Sequence, residues 1–271
     1  MAVGVELTVS SLWVHPVKSC APVPVHDALV EPRGLRNDRR WMVVSPDGKF
    51  LTGRQCPKLV LLRAVPEGLD VRLDAPKMTT LHVRRPLRDG GRLGVAVWKD
   101  HVDALACSAE ADAWLSEFLC RPVRLVYMDD AARRGVDPHY GWADDQVSFA
   151  DGFPALLISQ GSLELLNSKL LAPVPMARFR PNIVVRGCPP HAEDGWHRIT
   201  VGLVEFEVVK PCTRCVFTTV DTARGEFDGG GEPLNTLKTY RRTEKGVTFG
   251  QNLIPRTTGN IRVGDPVAII E

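Results

Sequence analysis

Val204-Glu205-Phe206-Glu207-Val208-Val209-Lys210-Pro211-Cys212-Thr213-Arg214-Cys215 runs directly into Val216-Phe217-Thr218-Thr219-Val220. Two cysteines thus sit between β-prone runs, Val204–Val209 and Val216–Val220, with Lys210 and Arg214 beside them. A redox dithiol of the thioredoxin kind belongs at a helix N-terminus in a βα unit, so strand on both sides argues against it. The flanking cations favour thiolate, because a cysteine near Lys and Arg has its pKa lowered toward neutrality. A zinc site would need two further ligands at matching spacing, and none is visible. What remains is one thiolate holding a soft metal delivered by an organic cofactor, or a pair of inert buried thiols.

The rest of the chain is also strand-rich. Short apolar runs recur at Leu12–Val14, Trp41–Val44, Leu59–Leu62, Val95–Trp98 and Val123–Tyr127, then at Ile183–Val185, Ile199–Val201, Ile261–Val263 and Val267–Ile270. Three helices interrupt them. Ser108 caps one whose Ala111, Trp114, Leu115, Phe118 and Leu119 share a face; the others run from Ser162 to Leu170 and from Pro233 to about Arg241. Asp129–Asp145 has neither period and reads as a long surface loop, with a domain boundary just before it. Many short strands with Gly and Pro turns and few helices imply a mixed α+β, β-rich fold with closed barrels rather than a doubly wound sheet.

The chain has 271 residues, 44% of them hydrophobic, which is enough for one large or two ordinary cores. Its formal net charge of +2 supplies no broad cationic field, which excludes general binding to nucleic acid or to an anionic membrane. Any anion site must be local. Met1–Ser11 lacks a signal-peptide pattern and no run is long enough for a membrane helix, so the expectation is a cytoplasmic protein. Seven cysteines, an odd number in a chain too large to need staples, favour reduced thiols.

Several polar clusters could complete a site. His15-Pro16-Val17-Lys18-Ser19-Cys20 ends an apolar strand and offers an amine and a hydroxyl to a phosphate or a pterin-like ring. In Asp38-Arg39-Arg40-Trp41, alternation sends the two arginines to opposite faces, so that at most one points inward. Arg178-Phe179-Arg180-Pro181-Asn182 pairs guanidinium groups suited to phosphate with an amide suited to a heterocycle edge. Phe249-Gly250-Gln251-Asn252 permits close backbone approach, and Ala192–Trp196 reads as a structural turn.

Taken in order, these motifs, together with Gly34-Leu35 and Leu51-Thr52-Gly53-Arg54-Gln55, resemble the MOSC-domain proteins, and within them the mitochondrial amidoxime reducing component group and its bacterial relatives. The resemblance covers nearly the whole chain. It implies an N-terminal β-barrel domain over residues 1–122 and a MOSC domain over residues 123–271. It also implies a molybdenum cofactor, a pterin dithiolene carrying the metal, with Cys215 as catalytic metal ligand and Cys212 as its neighbour. By the same carry-over Lys18, Ser19, Arg39, Asp151, Arg180, Asn182 and Asn252 line or hold that cofactor. Where the animal proteins have Asp-Thr-Ser, this chain has Asp151-Gly152-Phe153, so contacts there are expected from backbone amides.

The implied activity is reduction of N-hydroxylated compounds (amidoximes, hydroxylamines, N-hydroxylated bases) by oxygen-atom transfer, making the chain a molybdenum-dependent oxidoreductase. The chain ends at Glu271 without the iron–sulfur domain that some bacterial relatives carry, so electrons are expected from a separate ferredoxin-, flavodoxin- or cytochrome-type protein and its reductase. The alternative is a sulfur or molybdenum-cofactor carrier acting through a persulfide or cofactor-bound Cys215.

Overall fold

A computed structural model describes residues 6–87 and 90–271. The first five residues of the Met1–Ser11 segment lie outside the described residues. The described residues are β-rich with three α-helices, Ala109–Leu119, Gln160–Asn167 and Leu234–Tyr240. The largest sheet is built around a long antiparallel pair, Val204–Thr213 against Gly246–Pro255. To one side stand Ala155–Ser159, Ile183–Arg186, Thr8–Val14 and Val23–Val25; to the other, Arg198–Val201 and Val267–Ile269. The sheet curls until its ends meet, with Val9 N–H donating to Asp265 O (2.9 Å) and Val267 N–H to Leu7 O (2.8 Å). Such closure satisfies edge groups that an open sheet leaves to solvent.

Inward alternation fills this barrel. Val9, Leu12, Leu157, Ile183, Val185, Ile199, Val201, Phe206, Leu253 and Ile261 are buried together inside it. Outward-facing Leu156 and Ile158 meet Leu166, Leu237, Phe179 and Phe249, forming an apolar floor against which Cys212 packs. A second core lies under the capped helix, where Ala111, Trp114, Leu115 and Phe118 pack on Leu59, Leu62, Leu73, Leu105 and Leu125. Ser108 Oγ accepts from Ala111 N–H there, as expected of the cap.

Two early strands are woven into the far half of the chain. Thr8–Val14 pairs with Ile183–Arg186, and Asp27–Glu31 pairs with Gly259–Arg262. Arg124–Tyr127 in turn lies between Trp41–Val44 and Asp100–Ala106. These crossings bring motifs more than a hundred residues apart to one end of the barrel.

Two expected strands are not strands. Leu59–Leu62 falls in a 3₁₀ turn, Pro57–Leu61, because Pro57 lacks a ladder N–H and presets the first turn. Val216–Thr219 is also a 3₁₀ turn: Thr218 Oγ1 donates to Cys215 O (2.9 Å) and Thr219 Oγ1 to Val216 O (2.8 Å). The hydroxyls satisfy these carbonyls locally and remove the reason for a ladder. Gln160–Asn167 starts earlier than expected, because Ser159 caps it and accepts from Ser162 N–H.

Gly34 shows how tightly the two halves fit. Its φ is +104°, and a Cβ there would lie 2.1 Å from Pro154 O. Gly34→Ala is therefore expected to cost at least about 2 kcal/mol in urea unfolding, since both conformation and space forbid it. Gly152→Ala, where a Cβ meets nothing within 4 Å, is expected to stay within about 0.5 kcal/mol. Equal effects in the two variants would contradict this packing.

Candidate active-site cleft

Two bulges shape the end of the long strand pair. The register of Val204–Thr213 against Gly246–Pro255 shifts between Val208 and Lys210 and again between Pro211 and Thr213. A proline is tolerated in a strand at such a place, and each bulge re-aims the side chains that follow. Cys212 is left half-buried on the apolar floor, while Cys215 is exposed and faces an open cleft.

Lys18, Ser19, Arg39, Asp151, Arg180, Asn182, Cys215 and Asn252 all line this one cleft. Lys18 is buried, and its Nζ donates to Phe149 O (2.7 Å) and Asp151 Oδ1 (2.6 Å). Burial, with the charges of Arg134 and Arg39, lowers its pKa even against the pull of Asp151. Ser19 Oγ accepts from Gly53 N–H (3.1 Å), which leaves its own proton for a ligand. Gly53 has no side chain because a Cβ would lie 2.0 Å from the Phe217 ring, and that ring in turn lies under the Arg180 guanidinium at 5.6 Å.

Arg39 is the centre of the arrangement. Its Nη1 donates to Asp38 Oδ2 (2.6 Å) and Asn182 Oδ1 (2.9 Å), and its Nη2 to Arg180 O (3.1 Å). Arg40 diverges from it as alternation predicts, but it too is buried, donating to Met128 O and Asp130. Arg180 Nη1 donates to Cys20 O (2.5 Å), while Nη2 is buried with no partner among the described residues. Burial and the nearby Arg39 charge depress the Arg180 pKa to about 10. Ser19, Arg39 and Arg180 all have left-handed backbones, with φ of 68°, 47° and 57°. Strained residues of this kind, worth on the order of 1–3 kcal/mol each, concentrate at functional sites.

Three expectations need correcting. Asn182 lines the cleft, but its amide is engaged by protein: Oδ1 accepts from Arg39 and from Leu156 N–H (3.2 Å), and Nδ2 donates to Trp13 O (3.1 Å). It positions Arg39 instead of presenting both groups to a heterocycle. Asp151 contributes its carboxylate, not only backbone amides; Lys18 and the Trp98 Nε1–H (3.3 Å) both donate to Oδ1. Desolvation by the cleft wall around this otherwise exposed side chain would raise its pKa, yet the charge and hydrogen bond of Lys18, with Trp98 and Arg39, hold it well below the ordinary carboxylate range. Finally, Arg214 does not make a thiolate of Cys212. Burial pushes that thiol up despite Arg214, whose guanidinium is spent on Phe249 O and Phe179 O.

The residues fit a bound anion carrying a soft metal. The cleft wall includes Lys18, Arg39, Arg54, Arg178, Arg180 and Arg214 against the single carboxylate of Asp151. The unpartnered Arg180 Nη2 lacks an acceptor, and a phosphate oxygen would supply one. Asn252 Nδ2 donates to Lys210 O (3.1 Å) and so braces the strand that carries the thiols. Among the described residues no three His, Cys, Asp or Glu side chains converge to hold a metal ion by themselves. A metal here would rely on a ligand brought with it.

Trp98, Arg54 and Phe217 also line the cleft and were not expected from the sequence. Trp98 reads as the end of a strand, and nothing in a Trp-Lys pair announces the tight turn it occupies. Asp38, within a quoted motif, carried no role although an aspartate beside two arginines is a signal for a fixed ion pair.

That ion pair gives the fold an acid limit. Burial would raise Asp38, but the Arg39 charge and the His15 contact outweigh it and hold the carboxyl at about 2. Burial, then Arg39 and Arg180, push the His15 imidazole well below 6.5. The unfolded chain therefore takes up protons first, at His15 below pH 6.5 and at Asp38 below pH 3.8. Stability by urea unfolding is expected to fall in two acid stages, the second worth about 2 kcal/mol and complete near pH 2. His15→Gln makes the first stage shallower; an unchanged slope would contradict the assignment.

Comparison with known proteins bears on all of this. Residues 6–122 match the MOSC N-terminal beta barrel domain and residues 144–268 match the MOSC domain. Mitochondrial amidoxime-reducing component 1 of Homo sapiens is 38% identical over 97% of this chain and 83% of its own length. The Danio rerio protein of that name is 38% identical, covering 96% and 83%, and mitochondrial amidoxime reducing component 2 of Bos taurus is 36% identical, covering 96% and 82%. These relatives are named as mitochondrial, which overturns the expectation of a cytoplasmic protein. Among the described residues no helix is long and apolar enough to cross a membrane. With both domain models matched and relatives above one-third identity along nearly its whole length, the chain belongs to the MOSC-domain family that includes the mitochondrial amidoxime reducing components.

Proposed function

We propose that this chain is a molybdenum-cofactor-dependent reductase of N-hydroxylated compounds, with Cys215 as the protein's ligand to the metal. One observation carries the reading: an exposed thiol and a buried, unpartnered guanidinium nitrogen of Arg180 face the same cation-lined cleft. When bound, the cofactor would supply two-electron chemistry at the nitrogen–oxygen bond of amidoximes, hydroxylamines or N-hydroxylated bases.

The chain's own residues then have separable tasks. Arg180 would hold a phosphate oxygen through a hydrogen bond from its free Nη2, and the Ser19 hydroxyl would add a second donor. Arg39 does not need to reach the ligand to matter, because it holds the Arg180 carbonyl and fixes the left-handed turn that aims that side chain. Lys18 Nζ holds a proton at the cleft wall, and its lowered pKa makes that proton easier to give up. Asp151 keeps the ammonium in place. Electrons come from a separate ferredoxin-, flavodoxin- or cytochrome-type protein, a reading supported by the relatives' description as components. Both proposed domains, residues 1–122 and 123–271, contribute to the cleft through strands that interleave, Lys18, Ser19 and Arg39 coming from the first and Arg180 and Cys215 from the second.

The exposure of Cys215 also favours a second reading, a carrier that passes sulfur or the cofactor onward from that thiol. Turnover separates the two. Protein made in cofactor-competent cells and given a chemical reductant is expected to convert benzamidoxime to benzamidine repeatedly while keeping its molybdenum. Cys215→Ala is expected to abolish both turnover and metal retention, with Cys212→Ala weaker in effect. Equal losses in the two variants would overturn the ligand assignment, and a cofactor lost in a single event would favour the carrier.

A further inference from the structure

Trp98 stands at the mouth of the cleft in a conformation that tryptophan does not choose. Val97 pairs with Asp100, so Trp98 and Lys99 form a two-residue turn between Arg92–Val97 and Asp100–Ala106. Trp98 has φ of 56°, a position normally given to Gly or Asn in such turns, at a cost of roughly 1–2 kcal/mol for other residues. The residue is 44% exposed, although its ring meets Phe50 edge-on at 4.9 Å. The strain and the exposure are explained if the ring is there to meet a ligand.

What it meets is suggested by its neighbours. The guanidinium of Arg54 lies over the Trp98 ring at 4.5 Å and makes no hydrogen bond or ion pair among the described residues. A planar cationic N–C–N group therefore already occupies that ring face, held by nothing except the ring. Beside it, Trp98 Nε1–H donates to Asp151 Oδ1, while Asp151 Oδ2 accepts no hydrogen bond among the described residues and the side chain is 79% exposed. An aromatic face next to an unengaged carboxylate oxygen is a complementary site for an amidine: the plane stacks, and an N–H donates to the carboxylate.

Resting on the reductase reading, we propose that Trp98 and Asp151 Oδ2 form a subsite for the planar N–C–N unit of the substrate. The site then favours N-hydroxylated amidines and guanidines over N-oxygenated compounds that lack this unit. Arg54 acts as an internal stand-in, which the substrate displaces from the ring.

Benzamidine, a planar amidinium with no oxygen to transfer, is the probe, titrated calorimetrically into cofactor-loaded protein at fixed ionic strength. Saturable binding is expected, about tenfold weaker in Trp98→Ala and largely restored in Trp98→Phe. Arg54→Ala is expected to bind more tightly, because the stand-in is gone. Trp98→Gly removes the backbone strain, so its melting temperature is expected to hold or rise while its binding falls, which separates lost recognition from lost folding. With benzamidoxime and a tertiary amine N-oxide as competing substrates, Trp98→Ala is expected to lower the kcat/KM ratio between them about tenfold. No binding by the unaltered protein, or undiminished binding in Trp98→Ala, overturns the subsite. Either result leaves molybdenum content and benzamidoxime turnover as they were, whereas a failed reductase reading shows itself as absent metal whatever benzamidine does.

Discussion

The buried carboxylate of Asp38 is the constraint on which the cleft depends. It accepts from Arg39 Nη1 and from His15 N–H, and Arg39 passes the constraint on to Asn182 and to the Arg180 carbonyl. Asn182 then fixes the backbone of Leu156 and Trp13. Four segments distant in sequence are thereby held in one arrangement. A buried ion pair of this kind adds little net stability, yet leaving one partner alone typically costs about 3–5 kcal/mol. The network thus enforces a single geometry more than it deepens the energy minimum, and that geometry includes three left-handed residues whose strain must be held in place.

The cysteine pair obeys a different logic. Both bulges in the long strand pair lie within a few residues of the thiols, and the threonine-rich turn after Cys215 stops the strand from continuing. The backbone is irregular where the site needs direction and regular where the barrel needs a ladder. Cys212 pays its way as an apolar side chain on the floor, while Cys215 is left to the cleft. Nearby cations act mostly on carbonyl oxygens, which is why Arg214, beside Cys212 in sequence, does not offset the burial that pushes that thiol up.

Much of this was legible before the fold was known. The spacing of Ala111, Trp114, Leu115 and Phe118 gave the longest helix and its buried face, and Ser108 its cap. Motifs such as His15–Cys20 and Phe179–Asn182 supplied residues that do line one cleft, because polar residues ending apolar strands are placed by the strand that precedes them. Other features were not readable from local pattern. Val216–Val220 has the composition of a strand, and only the carbonyls left free by Cys215 and Val216 explain why its threonines turn inward on the backbone. The engagement of Asn182 and the carboxylate role of Asp151 depend on partners more than a hundred residues away in the chain, Arg39 for one and Lys18 for the other. Trp98 was hidden for the opposite reason: its turn contradicts local preference, and such contradictions are visible only in three dimensions.

The central claim is that this cleft holds a molybdenum cofactor through Cys215. The most direct test is the metal and pterin content of the protein purified from matched cells with and without cofactor synthesis. Stoichiometric molybdenum with pterin in the first preparation and neither in the second is the predicted result; zinc at one per chain, or no metal from either source, would contradict it.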